Sequence, residues 1–533
     1  MSAVREVRSR RLRLPNARVK PLEAILEGAR RNSLHRSLGV FQLTMLGVGG
    51  IIGSGIFVLI AEAAQKAGPG MILSFVVAGA VCAVAALCYS ELAAMVPVAG
   101  SAYTYTYAVM GELLAWLVGW ALVLEYGVAA SAVAVGWSGY FAGQLHGWFG
   151  IGLPAAFMSG PFQGGLVNVP AAIISLAVTG LLMIGTTESA RVNSLLVALK
   201  LVALAVFCIF ALPALRRENF VPLLPLGWAS GDGAGVIGAA ASIFFAYVGF
   251  DAVSIAAEET RDPNRALPLA LIGSLAICTV FYLLVAVGSI GAPLGSQPVM
   301  SAAGEWLAPG SSELAARCTA LVAGGKSEPL ACSEEALAHV LRTLGYLGIG
   351  NLIGLAAFLA LPSVILVMIY GQTRMFFVMA RDGLLPAPLA AVHPKWKTPH
   401  VITAVTGVGV TVGAAFLPVG KLADISNAGT LFAFAAVAIA VLSLRRTDPQ
   451  RVRPFRTPAV WVVAPLTIIG CVVLYCRLPF NARMVLPVWG GIGLLLYLCY
   501  GYRNSHVGRG IAARDELAAG GLREASSHPD YMR

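Results

Sequence analysis

Twelve segments of this 533-residue chain are apolar over roughly the 20 residues that an α-helix needs to cross a bilayer. They cover about 40–64, 70–96, 107–142, 166–186, 189–213, 234–258, 267–291, 343–378, 399–418, 422–443, 459–478 and 484–502, and are numbered spans 1 to 12 below. A water-soluble core has no room for so many apolar faces, and a membrane β-barrel would show alternating segments of about ten residues instead. A backbone inside hydrocarbon must satisfy its own amides and carbonyls, which leaves the helix. The expected fold class is therefore an all-α polytopic membrane protein with 12 transmembrane helices. The charged fraction of 12% agrees, since soluble domains carry about a quarter.

A formal net charge of +11 would suit nucleic acid if it formed one surface. It does not: basic residues gather at 1–39, from Arg374 to Lys397 and from Arg445 to Arg456, outside the spans or at their ends. The bias of Lys and Arg toward cytoplasmic connections places these segments, and with an even span count both termini, in the cytoplasm. The partner of this charge is the lipid bilayer, not nucleic acid. Span 1 has no small-residue cleavage site, so it is expected to stay as a helix of a multi-pass protein of the cell (inner) membrane. Residues 21–38, PLEAILEGARRNSLHRSL, put Leu22, Ile25 and Leu26 on one face, the pattern of an amphipathic helix within a cytoplasmic segment 1–39. Residues 292–342 form the longest outer loop, and 503–533 a polar cytoplasmic tail without expected structure. Seven of nine cysteines lie in apolar spans, as small buried side chains. Cys318 and Cys332 lie in the outer loop and can pair if it faces an oxidising compartment. No spacing suits a metal, and no cofactor is expected.

Span 1 contains GVGGIIGSGIF, residues 47–57, five of them glycine. Glycine costs a helix about 1 kcal/mol relative to alanine, so the stretch either lets helices pack closely or marks a break. Backbone that leaves the helix at membrane depth must be buried in protein or line a cavity, and the amides it exposes attract a carboxylate. Span 6, five helices later, has FFAYVGFDAVSIAAEE from Phe244, with Gly249 two residues before the intramembrane acid Asp251. Two interrupted helices at matching places in two five-helix halves are the pattern of an inverted-repeat transporter with its site at the midplane. The halves are 40–213 and 234–443, followed by helices 11 and 12 at 459–502. Amides freed in span 1 facing a carboxylate, and carbonyls freed in span 6 facing an ammonium, together describe an L-amino acid.

The chain also carries SLGVFQLTMLGVGGIIGSGIFVL, YSELAAMVPVAGSAYTYTY, GWALVLEYGVAASAVAVGWS, ESARVNSLLVALK, FFAYVGFDAVSIAAEETRDPNRALP and GQTRMFFVMARDGLLP, in that order. In these motifs, over about residues 30–505, it resembles the cationic amino acid transporter subfamily of the amino acid–polyamine–organocation superfamily, in its bacterial type. The resemblance implies a LeuT-type fold, five plus five helices in inverted repeat with two more. It implies that the backbone at Ile52, Gly53, Ser54 and Gly55 holds the substrate carboxylate. The carbonyls of Phe245, Ala246 and Val248 would meet the ammonium, with the Phe245 ring as a lid on the outer side.

Five polar positions within the spans remain. Lys200 lies eleven residues into span 5, roughly 16 Å deep at 1.5 Å per residue. An ammonium there is costly, and in the family a lysine here stands where sodium-coupled relatives bind sodium, so Lys200 is expected to couple transport to protons; the alternative is a structural lysine on helix carbonyls. Glu125 in span 3 either meets the substrate side chain or holds helices together. Asp251 either gates and couples or caps the second half of span 6. Ser363 in span 8 could approach Lys200, although Pro362 beside it departs from a hydroxyl-rich pattern. Glu91, near the cytoplasmic end of span 2, is read as structural, and the 258–268 loop as a solvated inner loop or else an inner gate.

The expected function is a secondary active amino acid permease importing by proton-coupled alternating access. A uniporter or exchanger for arginine and lysine is the alternative, and a sensor that binds without transport a remote one. No His-Glu-x-x-His, Gly-x-Ser-x-Gly or paired intramembrane aspartates point to an enzyme. Leu361 and Pro362 make the span 8 wall apolar, which leans toward neutral substrates. Nothing in the sequence sets the oligomeric state, and a monomer fits.

Overall fold

The computed structural model describes residues 18–20, 25, 36 and 38–510, apart from 99, 186–189, 232, 292–296, 325–327 and 397. Among these residues nine helices are long and apolar enough to cross a membrane, and three shorter ones, Val40–Ile51, Val169–Ile184 and His400–Phe416, supply spans 1, 4 and 9. No regular strand occurs among them. The 21–38 surface helix lies mostly outside the described residues, although Ile25 is helical and buried. The tail beyond residue 510 lies outside them as well.

Span 3 is shifted from its expected bounds. Ser101–Val109 forms a separate short helix, Gly111 turns the chain at φ +99°, and the long helix runs Glu112–Phe149. The apolar pattern runs through this corner because Ser101–Val109 is itself buried. Span 3 packs along span 8 (Leu347–Arg381) and span 10 (Val419–Thr447), which makes it the axis of the bundle. Spans 11 and 12 lie at the edge and turn Trp461, Val488 and Leu495 outward, as lipid-facing helices do.

The two ends of the bundle are fastened differently. On the face that carries residues 18–20, called the N-terminal face below, the buried Glu91 carboxylate accepts from Arg445 Nε (2.9 Å) and Nη2 (2.8 Å) and from the Thr457 amide (2.8 Å). Arg453 Nε lies 3.2 Å away. Span 2 is thereby clamped to the end of span 10 and to the segment joining it to span 11, the structural role expected. Glu91→Ala leaves two guanidinium groups facing no acid, a loss worth about 3–5 kcal/mol for a buried pair. Its thermal unfolding temperature in detergent should fall clearly; an unchanged value would mean that the clamp is not needed. Nearby, Glu112 accepts from Tyr107 and Tyr497 (both 2.9 Å) and pairs with Arg18 (3.4 Å).

At the opposite face, the long loop folds onto span 1. Gln65 Nε2 donates to the carbonyls of Val299 and Leu307 (both 2.8 Å), and its Oε1 accepts from the Val299 amide (2.7 Å). Within this loop Cys318 and Cys332 are joined in a disulfide that ties the helix Ser312–Ala323 to the turn Leu330–Cys332.

Candidate functional site at two helix breaks

Span 1 is two helices. Val40–Ile51 ends as Ile52 turns to φ −74°, ψ 93°, and the chain resumes as Ser54–Phe57 and Leu59–Ala67 with a kink at Val58. The ladder restarts at Phe57 N to Gly53 O (3.4 Å) and Val58 N to Ser54 O (2.9 Å). The amides of Gly53, Ser54, Gly55 and Ile56 therefore have no place in it. Free amides at the start of a helical segment, with its positive dipole end, form a seat for a carboxylate.

Span 6 breaks alongside. Gly235–Ile243 tightens into a single turn at Phe244–Tyr247, Val248 is extended, and Gly249 takes φ +114° before Ala252–Ile255 resumes. Of the three carbonyls expected to meet an ammonium, that of Phe245 accepts from the Val248 amide (3.2 Å). That of Ala246 lies 2.8 Å from the Tyr282 hydroxyl, and that of Val248 takes part in no backbone hydrogen bond among the described residues. The same Tyr282 hydroxyl lies 2.8 Å from the Ile51 carbonyl, a link between the breaks that sequence reasoning missed.

The glycines have two uses here. A Cβ on Gly55 would lie 2.3 Å from Ala246 Cα, and one on Gly249 would lie 2.7 Å from the Gly50 carbonyl carbon. Both close packing and the break are therefore real, and the first brings the two breaks together. Val40–Ile51 packs on Ala252–Ile255 and Leu59–Ala67 on Gly235–Ile243, so the broken helices run antiparallel. At their N-terminal-face ends they are also paired by backbone, Leu38 N to Glu259 O and Arg261 N to Leu38 O (both 3.0 Å). Span 3 closes one side, with Gly136 against Ser54, and span 8 another, with Val364 against Gly53. Ile52, Ser54 and Ala246 are fully buried, and Phe245 and Val248 nearly so.

The remaining polar positions fall around this centre. Lys200, fully buried, donates from Nζ to the Gly49 carbonyl at 3.0 Å, on the last turn of the first half of span 1. Asp251 occupies the cap position of the second half of span 6, but its side chain makes no capping bond. Its Oδ2 accepts instead from Tyr126 of span 3 at 2.5 Å. Glu125, next to that tyrosine, is fully buried, and among the described residues neither carboxylate oxygen has a hydrogen-bond partner. Asp251 and Thr430 are its polar neighbours. Ser363 donates to the Ala360 carbonyl of its own helix (2.7 Å). Toward the N-terminal face, Ile255, Glu258, Arg374, Met375 and Val378 line a recess under the second half of span 6.

Sequence reasoning also passed over span 10. Asn427 Nδ2 donates to the carbonyls of Ala241 and Ser242 (both 2.8 Å), which holds the end of the first half of span 6. One turn earlier Asp424 reaches Lys66 and Ser242. An acid three residues into an apolar span was the available signal.

The family model described as amino acid permease matches residues 38–500. The branched-chain amino acid permease BcaP of Bacillus subtilis is 42% identical over 477 residues, 89% of this chain and 94% of that protein. The methylthioribose transporter of the same organism is 38% identical over 492 residues, 92% and 98% of the two chains. The vacuolar cationic amino acid transporter 4 of Arabidopsis thaliana is 33% identical over 428 residues, 79% and 65% of the two chains.

Proposed function

This chain belongs to the amino acid permease family, and from that premise we propose that it imports L-amino acids with neutral side chains, driven by protons, with both termini in the cytoplasm. The observation that carries the reading is the pair of crossed breaks, which sets free amides of span 1 beside carbonyls of span 6. A substrate with a carboxylate and an ammonium on one carbon satisfies both sets, which hydrocarbon cannot.

Side-chain preference follows from the walls. A cationic side chain needs an acid or several carbonyls. Glu125 stands eleven residues along span 3 from Gly136, the residue against Ser54, about 16 Å at 1.5 Å per residue. That is further than an amino acid seated at Ser54 extends. The wall beside Gly53 is Val364, with Leu361 one turn away, both apolar and buried. Similarity to a branched-chain amino acid permease supports the same preference, whereas the cationic relatives support the alternative of a cationic uniporter.

The test is uptake into proteoliposomes with an imposed inward proton gradient, using labelled alanine, leucine and arginine side by side. Accumulation of alanine or leucine that a protonophore collapses is the expected result. Arginine uptake that follows membrane potential and ignores the pH gradient would replace the reading with the cationic one. Binding with no uptake of any of the three would make the protein a sensor.

A further inference from the structure

The recess under the second half of span 6 plays no part in binding at the breaks. Its two walls run the same way. The second half of span 6 leads to Glu259, paired through its backbone with Leu38, and span 8 ends beside Asp382, which pairs with Lys20 at 2.8 Å. Both therefore approach the N-terminal face. Ile255 fixes their register, because a Cβ on Gly371 would lie 3.4 Å from its Cδ1. Three residues further along each element stand Glu258 and Arg374, both on the recess. That step is about 6 Å along the 3₁₀ turn Ala256–Glu259 and about 4.5 Å along an α-helix. An acid and a base from separate elements thus border one space at one level. Arg374, Val378 and Arg381 follow one another at steps of four and three residues, so they form one stripe of span 8 with its arginines about 10 Å apart along the axis. Ile255, Met375 and Val378 give the recess its apolar lining. Arg374 is held in place, since its guanidinium donates to the Tyr370 hydroxyl one turn back and lies 4.7 Å from the centre of that ring. A guanidinium has five N–H groups, so a planar fork remains to meet an acid.

We propose that this recess is a second amino acid site, separate from the breaks and nearer the N-terminal face. It takes a free α-amino acid with an apolar side chain. The carboxylate meets the Arg374 fork, and Arg381 beyond it adds positive potential at the mouth. The ammonium meets Glu258, and the side chain lies on Ile255, Met375 and Val378. A zwitterion carries opposite charges a few ångströms apart, and the two walls offer opposite charges at one level, so neither charge of the ligand is left unpaired. An occupied recess joins the second half of span 6 to span 8 and opposes any motion that parts them. The choice of ligand rests on the amino acid reading above, whereas the geometry of the recess does not. The headgroup of an ethanolamine phospholipid carries the same pair of charges, and the test separates the two sources.

The test follows thiol protection in detergent. In a chain whose seven free cysteines are replaced by alanine, Ile255→Cys places a thiol on the recess wall. Leucine should slow its reaction with a methanethiosulfonate reagent roughly tenfold at about ten times the half-protecting concentration, the ratio that simple competition gives. Arg374→Gln and Glu258→Gln should each cut that slowing to less than about twofold. Glu258 lies on the other element, so its variant decides the matter if Arg374→Gln fails to fold. Gly55→Ala, which forces the breaks apart, should keep the protection. Slowing that survives both recess substitutions, or that Gly55→Ala abolishes, comes from the substrate site and overturns the proposal. Protection by dispersed phosphatidylethanolamine with none by leucine overturns it too, as does no protection by leucine up to its solubility. If the unaltered protein takes up no alanine, leucine or arginine while leucine still protects position 255, the transport reading falls and the recess stands.

Discussion

Lys200→Ala should abolish substrate accumulation driven by an inward pH gradient while sparing exchange of labelled for unlabelled substrate. The ammonium donates to the Gly49 carbonyl, where the first half of span 1 ends. The carbonyl end of a helix carries partial negative charge, so a cation stabilises it there. A proton gained or lost at Lys200 changes how firmly this half-helix is held, and its broken end leads directly into the carboxylate seat that opens the second half. One proton per substrate sets an accumulation limit of about tenfold per unit of pH difference, since that unit is worth about 1.4 kcal/mol. The variant should fall to equilibration, with exchange within about threefold of the parent because exchange needs no net proton movement. Undiminished pH-driven accumulation would make Lys200 a structural cation on a helix end and move the coupling role elsewhere, first to Asp251 with its Tyr126 contact.

Gly55→Ala should all but stop transport, although it adds one methyl group. The new carbon would lie 2.3 Å from Ala246 Cα and 2.7 Å from its Cβ. Backbone offers no rotamer to swing aside, so the two breaks must move apart. A displacement of about 1 Å at a site that depends on alignment costs roughly 100-fold in rate. The strain itself is of the order of 1–3 kcal/mol, which a bundle of this size absorbs, so the protein should still elute as a folded species. Initial uptake rate per folded carrier is the quantity to measure, and a rate within a factor of about two of the parent would mean that the breaks need not touch. Gly152 is the contrasting control, because a Cβ there meets nothing within 4 Å.

Legibility differed by kind of feature. Spans were readable because hydrocarbon demands uninterrupted apolar helix, a property each segment declares alone. The break in span 6 was readable too, since Gly249 and Asp251 both violate that demand within three residues. The glycines of span 1 taken alone fitted either a break or close packing, the matching interruption in span 6 favoured the break, and both uses hold in the structure, because glycine serves either purpose. The start of span 3 was misplaced, since a buried corner has the same composition as a buried helix. The cluster of Lys66 and Asp424 went unread: Glu62 and Lys66 sit at the end of span 1, where charges are ordinary, and Asp424, three residues into span 10, was passed over.

The sequence alone therefore determined a 12-span helical membrane protein, with two helices broken at glycines and an amino-acid-shaped polarity at the breaks. Each of these follows from the cost of unsatisfied backbone in hydrocarbon, which acts on every segment by itself. Only the tertiary structure decided which buried charges meet: Lys200 with Gly49, Asp251 with Tyr126, Glu91 with Arg445, and Lys66 with Asp424. The last three pairs are 125, 354 and 358 residues apart. Their meeting depends on how each helix is rotated and packed against the others, and hydrophobic periodicity holds no record of that.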